Sequence, residues 1–317
     1  AWTEDLSALV FGIRTLKKSD ARPEAARPAE AGADQTAKPE APAAPPAPET
    51  PAEEKVDLVL WHHKDPRLQS QQQVQEQADK NFSYLSIYRV KEHTFIRLAD
   101  DSVRSVNPAP KGAFAIGFDD REYERMGNLD GRRYRDVYVI NMQTGDRKLA
   151  LKKARYPGQP SVDGTKFFYY EDGSYFVYDM ASGQSANITK LVPASFTDTE
   201  NDTNVVKPPR PALGWTSDSA ALLLSDGWDI WQVPAAGGPA VNLTGNGRKD
   251  AIRYRMIARF DPEEEGTDLS KTRYVSAFGE WTKKGGYARL DPGRPGAQML
   301  LWDDAGFGVQ RARKADV

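Results

Sequence analysis

At 317 residues and 35.2 kDa the chain is long enough to bury a large core, as one big domain or two smaller ones. Its 43 Lys and Arg nearly balance 45 Asp and Glu, leaving a net charge of -2, which argues against a nucleic-acid binder because neutralising phosphates needs a clustered excess of cations. The absence of cysteine excludes disulfides, thiolate metal sites, iron–sulfur clusters and a cysteine nucleophile, and no apolar run approaches the roughly 20 residues that cross a bilayer.

The N-terminus, Ala1-Trp2-Thr3-Glu4-Asp5, has neither an initiator Met nor the basic-then-apolar pattern of a signal peptide. Residues 1–20 read as the start of a repeat unit already under way, so the chain is expected to be excised from a longer protein. Residues 21–54 differ sharply. Of these 34 residues 12 are Ala and 8 are Pro, and none is aromatic, Val, Ile or Leu. With nothing to bury, the segment cannot offset its conformational entropy, and recurrent Pro forbids an Ala-rich helix. A disordered, partly polyproline-II insertion is expected there.

From residue 55 to 317 the signal is that of an all-β protein, in short β-branched and aromatic runs bounded by Gly, Asp, Asn and Pro. Ala8–Phe11 precedes the insertion. Val56–Trp61, Tyr84–Tyr88, Phe114–Phe118, Asp136–Ile140, Phe167–Tyr170, Tyr175–Tyr178, Ala221–Leu224 and Asp229–Val233 follow it. Only Gln69–Lys80, rich in Gln and free of Gly and Pro, predicts a helix, short and on the surface.

A repeat organises these runs: a polar turn, an apolar strand, a second strand opening with Asp, a Gly turn and a third strand. Ser161-Val-Asp-Gly164 opens one copy, which closes on Asn187-Ile-Thr189, and Thr216-Ser-Asp-Ser219 opens the next, which closes on Asn242-Leu-Thr244. An earlier copy runs from Pro110 to Leu149, and degenerate openings lie at Trp2–Phe11 and Ser270–Ser276. Gly112, Gly164 and Ser219 are spaced 52 and 55 residues apart. A period of about 40–50 with four short strands per unit predicts β-propeller blades of four-stranded antiparallel sheets, whose radial stacking covers both faces of each sheet. About five units are visible, with Gly306 opening a further one. That is fewer than the usual seven or eight blades, so an incomplete ring is expected.

The Ser-x-Asp-Gly turn, the Asp229-Ile-Trp231 strand and the closing Asn-Leu-Thr resemble the propeller repeats of the prolyl oligopeptidase family of serine peptidases. Trp61-His-His-Lys-Asp-Pro-Arg-Leu-Gln69, Asn128-Leu-Asp-Gly-Arg-Arg-Tyr-Arg-Asp136 and Gly279-Glu-Trp-Thr-Lys-Lys-Gly-Gly-Tyr287 are similar to a bacterial subgroup of it. The resemblance implies a propeller that caps a C-terminal α/β-hydrolase domain of the same polypeptide and gates peptide substrates. It also points to a periplasmic or secreted location. The Gly-x-Ser-x-Gly nucleophile elbow of that hydrolase is absent, the nearest segment, Ser182-Gly-Gln-Ser-Ala-Asn187, lacking its second Gly. No catalytic residue is carried over. A non-enzymatic propeller that binds another protein is the alternative.

The stretch Asp119–Arg135 interrupts a unit between its first and second strands. It offers Arg121, Glu122, Glu124, Arg132 and Arg133 as candidate contacts to substrate or hydrolase domain, Arg for carboxylates and Glu for an α-amine; the bland reading is a solvated charged loop. Dipeptidyl peptidases use paired Glu in that way, but their motif does not match. No cofactor or metal is expected. Of three histidines, His62 and His63 are adjacent in an expected strand and so point to opposite faces, and zinc needs three or four ligands. Asn81-Phe-Ser83, Asn187-Ile-Thr189, Asn201-Asp-Thr203 and Asn242-Leu-Thr244 fit the glycosylation sequon, although two of them are simply repeat ends. Trp215, Trp228, Trp231 and Trp281 are expected to fill wedges between blades rather than stack on a ligand.

Overall fold

The computed structural model describes residues 1–14, 60–203 and 205–307. The insertion expected at 21–54, most of the strand expected over 56–61 and all but the first two residues of the unit expected from Gly306 lie outside the described residues. Leu60 and Trp61 form no strand. The chain divides into two units, one of Ala1–Ile13 with Ser83 onward, the other of Arg14–Phe82, in which 14 and 60–82 are described.

In the smaller unit, α1 spans Gln69–Lys80, over the expected residues, and buries none of them. Arg67 ties the preceding loop to it through Asp79 at 2.7 Å, and the Trp61 indole N–H donates to the Arg67 carbonyl at 2.8 Å. His62 and His63 stand in this turn rather than in a strand, with ring centroids 4.3 Å apart. The Pro and Asp that follow them favour a turn over an extended ladder.

The larger unit is all-β, a series of propeller blades. Its antiparallel sheets follow one another along the chain. The first holds β1 (Ala8–Ile13), β2 (Tyr84–Arg89) and β3 (Thr94–Arg97). The second holds β4 (Ser105–Pro108), β5 (Phe114–Asp119), β6 (Arg135–Asn141) and β7 (Arg147–Ala154). The third holds β8 (Tyr156–Pro160), β9 (Lys166–Glu171), β10 (Ser174–Asp179) and β11 (Ser185–Asn187). The fourth holds β12 (Gly214–Trp215), β13 (Ala221–Ser225), β14 (Ile230–Pro234) and β15 (Val241–Asn242). The fifth holds β16 (Ile252–Ile257), β17 (Arg273–Gly279), β18 (Gly285–Leu290) and β19 (Gln298–Asp303). Two short helices, α2 (Glu124–Asp130) and α3 (Gly247–Asp250), sit in connectors.

Each unit therefore opens one strand earlier than the repeat suggests. A short first strand precedes the polar turn, and Asp119–Arg135 joins the second and third strands, not the first and second. The first sheet lacks a full first strand. Ala1 and Trp2 stand in its place, with Trp2 bridged to Leu9 and Val10 N–H donating to the Ala1 carbonyl at 2.7 Å.

Three recurring turns repeat the same bonding. Thr3, Ser161 and Thr216 each donate a hydroxyl to an Asp two residues on, at 2.7, 2.5 and 2.6 Å. Each hydroxyl also accepts the amide five residues on, from Ala8, Lys166 and Ala221. These bonds satisfy backbone groups that a tight turn would otherwise strand. The turns also touch one another: Asp163 N–H donates to Ser219 Oγ at 2.9 Å, and Lys111 pairs with Glu4 at 2.6 Å and Glu265 at 3.7 Å.

At the other end of the repeat, Thr189 and Thr244 are buried. Their hydroxyls accept the amides of Tyr175 and Ile230, each at 3.0 Å. The two Asn-x-Thr repeat ends thus have a structural role.

Four apolar seams hold consecutive sheets together among the described residues. Ala8, Ile87 and Leu98 meet Ala115, Ile140 and Met142 in the first, and Ile116, Val137 and Val139 meet Phe167, Tyr169 and Tyr178 in the second. Tyr175, Val177 and Ile188 meet Trp215, Leu222 and Trp231 in the third, and Ile230 meets Tyr254, Val275 and Leu290 in the fourth. The two-residue period explains how one strand serves two seams, since the neighbours Ala115 and Ile116 on β5 face opposite ways. Each large side chain buried here contributes roughly 1.5–3 kcal/mol. Trp215 and Trp231 fill the third seam as expected, but Trp281, in the turn between β17 and β18, is 80 % exposed.

Candidate functional site

The charged loop between β5 and β6 is folded back on itself. Arg121 grips Asp119 with Nε at 2.9 Å and Nη2 at 2.8 Å, an arrangement that lowers the Asp119 carboxyl and raises the guanidinium from their ordinary values. Arg132 lies 3.9 Å from Asp130; Glu122 and Arg133 are exposed, and Glu124 begins α2 half-buried. The loop is anchored by Asp136, whose Oδ1 accepts both the Tyr123 hydroxyl at 2.7 Å and the Lys153 amide at 2.8 Å. Burial, followed by the bond to Asp136, pushes the Tyr123 phenol up.

The five sequence candidates do not line the cavities beside this loop. Their neighbours do. A cavity of about 920 Å³ is walled by first strands of three successive sheets, through Asn107 and Pro108 of β4, Tyr156–Pro160 of β8 and Gly214 of β12. Phe118, Phe168, Tyr170 and Tyr175 add rings, and Pro209 and Pro211 come from the connector ahead of β12. β8 is the edge of its sheet, which tolerates two prolines because no strand bonds their outer side. Gly158 is required by close approach: a Cβ there would lie 2.1 Å from the Phe168 ring.

Two guanidiniums face this cavity. Arg135, the first residue of β6, lies 4.8 Å over the Phe118 ring, and Arg155, which links β7 to β8, lies 5.0 Å over the Tyr156 ring. Among the described residues neither meets a carboxylate. Rings surround them: Tyr156 and Tyr170 pack edge to face at 5.9 Å, and Tyr170 and Tyr175 do the same at 5.1 Å. Tyr170 shares a 2.6 Å hydrogen bond with Thr197, and Tyr175 donates to the Arg210 carbonyl at 2.5 Å, its phenol pushed up by burial. A second cavity of about 720 Å³ shares Arg155, Tyr156 and Tyr170 and adds Lys152, Lys153 and Lys207 opposite Glu171 and Asp172.

A third cavity, of about 610 Å³ between the fourth and fifth sheets, shows the contrary pattern. There Arg210 reaches Asp198 at 2.9 Å and Glu200 at 3.2 Å, and Arg253 reaches Glu200 at 3.0 Å and Glu280 at 2.5 Å. The Arg253 bond, ahead of the field of both arginines, lowers the Glu200 carboxyl. Every carboxylate there already has a cation, so this network clips sheets together.

The larger cavity offers hydrogen-bond donors, aromatic faces and two arginines that meet no carboxylate among the described residues. His93, in the turn after β2, bonds the Tyr88 hydroxyl at 3.2 Å and lines none of these cavities. Arg135 and Arg155 escape notice in the sequence because nothing there tells a paired arginine from an unpaired one. The Tyr-Pro-Gly-Gln-Pro run of β8 is the only local sign.

No protein-family model and no curated protein matches the sequence. Among solved structures, the putative TolB from Agrobacterium tumefaciens matches at 15 % identity and a TM-score of 0.36, over 71 % of this chain and 78 % of that one. Dipeptidyl peptidase 4 of Porphyromonas gingivalis matches at 11 % identity and a TM-score of 0.45, over 71 % of this chain and 37 % of its own. The β-propeller domain of the Trilobed protease from Pyrococcus furiosus matches at 12 % identity and a TM-score of 0.37, over 69 % and 64 %. The chain thus spans little more than a third of the dipeptidyl peptidase, and no activity is transferred from any of these likenesses. The fold assignment rests on the five successive sheets.

Proposed function

We propose that this chain is the substrate-admitting propeller of a serine peptidase similar to prolyl oligopeptidase, passing short peptides towards an α/β-hydrolase domain of the same polypeptide. The observation that supports this reading best is the cavity of about 920 Å³ along the first strands, lined by Pro, Tyr and Phe. Its size falls within the roughly 300–1,000 Å³ of small-ligand sites, and its lining suits an extended, proline-bearing peptide. The loop carrying Arg121, Glu122, Glu124, Arg132 and Arg133 is proposed to contact the peptide or the hydrolase domain. The second reading is a propeller that binds another protein without catalysis.

The coding sequence after Val317 separates the two. A downstream Gly-x-Ser-x-Gly followed by Asp and then His supports the peptidase; a stop codon or a different domain refutes it. The isolated chain is expected to hydrolyse no aminoacyl or prolyl chromogenic substrate, because no Gly-x-Ser-x-Gly elbow lies within its sequence. Turnover above a buffer control, blocked by a serine-directed phosphonate, overturns that expectation.

A further inference from the structure

We infer that Arg135 and Arg155 form a carboxylate-recognising site on the wall of the first-strand cavity, so that a short peptide lodges with an acidic group on the guanidiniums and an apolar residue among the rings. This rests on the reading that the cavity admits peptide, and it adds what the peptide must carry.

Arg67, Arg121, Arg147, Arg210, Arg253 and Arg273 each meet an Asp or Glu within 3 Å. Arg135 and Arg155 are half-buried, face a cavity and, among the described residues, stack on rings and meet no carboxylate. Ring stacking leaves the edge of a guanidinium, with its N–H groups, open to a planar anion, and bidentate pairing with a carboxylate is what that fork suits best.

The two are also held together by the sheet. Arg135 pairs in register with Ala154, the residue before Arg155. The ladder slips between Arg135 and Val137, and the partner strand carries Lys153 at φ 54°, a left-handed conformation that a long side chain adopts only under constraint. Such a bulge re-aims the side chains beside it. Asp136 clamps the distortion by accepting the Lys153 amide and the Tyr123 hydroxyl. Lys152, Lys153 and Lys207 face the adjoining cavity against Glu171 and Asp172, so the local balance of charge remains positive when the two arginines are counted. A peptide carboxylate has two sources, the C-terminus or an acidic side chain, and the geometry accepts either.

The test is isothermal titration of the full 317-residue chain with three tripeptides: Ala-Pro-Phe as free acid, Ala-Pro-Phe amide, and Glu-Pro-Phe amide. Binding of either carboxylate-bearing peptide is expected to be roughly 10- to 100-fold tighter than that of the neutral amide, the usual range for a charge-assisted hydrogen bond. Whichever acidic peptide shows the preference identifies the source. Arg155→Gln is expected to abolish the preference for a carboxylate, and Arg135→Gln to reduce it. Equal affinities for all three peptides in the unaltered chain overturn the inference, as does a preference that survives both substitutions or a failure of all three to bind. Failure of all three to bind also tells against peptide admission, whereas equal affinities leave it standing; the downstream nucleophile elbow is decided separately by the coding sequence.

Discussion

Replacing Thr244 by Val keeps the shape of a fully buried side chain and removes only its hydroxyl. That hydroxyl accepts the Ile230 amide at 3.0 Å and donates to Asp229 Oδ1 at 2.6 Å. Without it the Ile230 amide is buried with no partner, whereas Asp229 retains the Gly247 amide at 2.8 Å. A buried donor left unsatisfied costs about 1–3 kcal/mol, and the weakened Asp229 adds less, so a loss of about 2–4 kcal/mol is expected. Thr189 holds the same place one sheet earlier and accepts the Tyr175 amide at 3.0 Å, but it has no aspartate to support. Thr189→Val is therefore expected to cost about 1–2 kcal/mol. Thr203 completes a third Asn-x-Thr but is exposed, and among the described residues its hydroxyl bonds only to Asn201, so Thr203→Val should change stability by less than about 0.5 kcal/mol. Urea unfolding followed by circular dichroism, at unchanged slope, gives the three values. If Thr203→Val proves as costly as Thr244→Val, or Thr244→Val is silent, the reading of these motifs as buried strand anchors is refuted.

Three further outcomes are expected. Thr3 and then Ser7 hold Asp5 down to about 2, and Asp218 is lowered first by Thr216, so both carboxyls titrate below their unfolded values near about 3.9. The contribution of Asp5 is complete above about pH 4 and lost as pH falls towards 2, and that of Asp218 is likewise lost on acidification; urea midpoints at pH 5 and 3 should show this, with Asp218→Asn shrinking the drop. Asp136→Ala should bring the Tyr123 phenol back towards its ordinary value of about 10, read by ultraviolet titration against Tyr123→Phe, and an unmoved titration refutes the anchor. Gly164→Ala places a Cβ 1.9 Å from the Pro110 carbonyl at φ +67°, whereas Gly173→Ala, at φ +80°, meets nothing within 4 Å. The first should therefore cost clearly more than the roughly 1 kcal/mol set by conformation alone, and equal losses would deny the contact between the second and third sheets.

The blades were legible because their central strands carry the pattern openly. Phe114–Phe118, Phe167–Tyr170 and Ala221–Leu224 lie within β5, β9 and β13, and the Asp of each polar turn has a bonding role that recurs. The first strands were not legible. Ser-Val-Asn-Pro of β4, Tyr-Pro-Gly-Gln-Pro of β8 and Gly-Trp of β12 lie at sheet edges, where Pro and Gly are tolerated and apolar alternation is not required. Missing them displaced the charged loop by one strand and hid the cavity those strands enclose. The loop drew attention through its density of charge, yet the two arginines facing the cavity lie at and beyond its end, set apart by being half-buried on a cavity wall.

The four seams carry a consequence for how the protein tolerates change. Each is built by two sheets consecutive in the chain, and among the described residues the middle three sheets each belong to two seams while the first and fifth belong to one. On β13 the run Ala221–Leu224 is buried throughout, but on β17 burial alternates, with Tyr274, Ser276 and Phe278 half-covered between buried neighbours. A residue of β13 is therefore constrained in volume from both sides, and one on the open face of β17 from a single side. Substitutions in distant seams share no partner and should combine additively, while those in one seam couple. Among the described residues, the three middle sheets are therefore the least tolerant of a change in core volume.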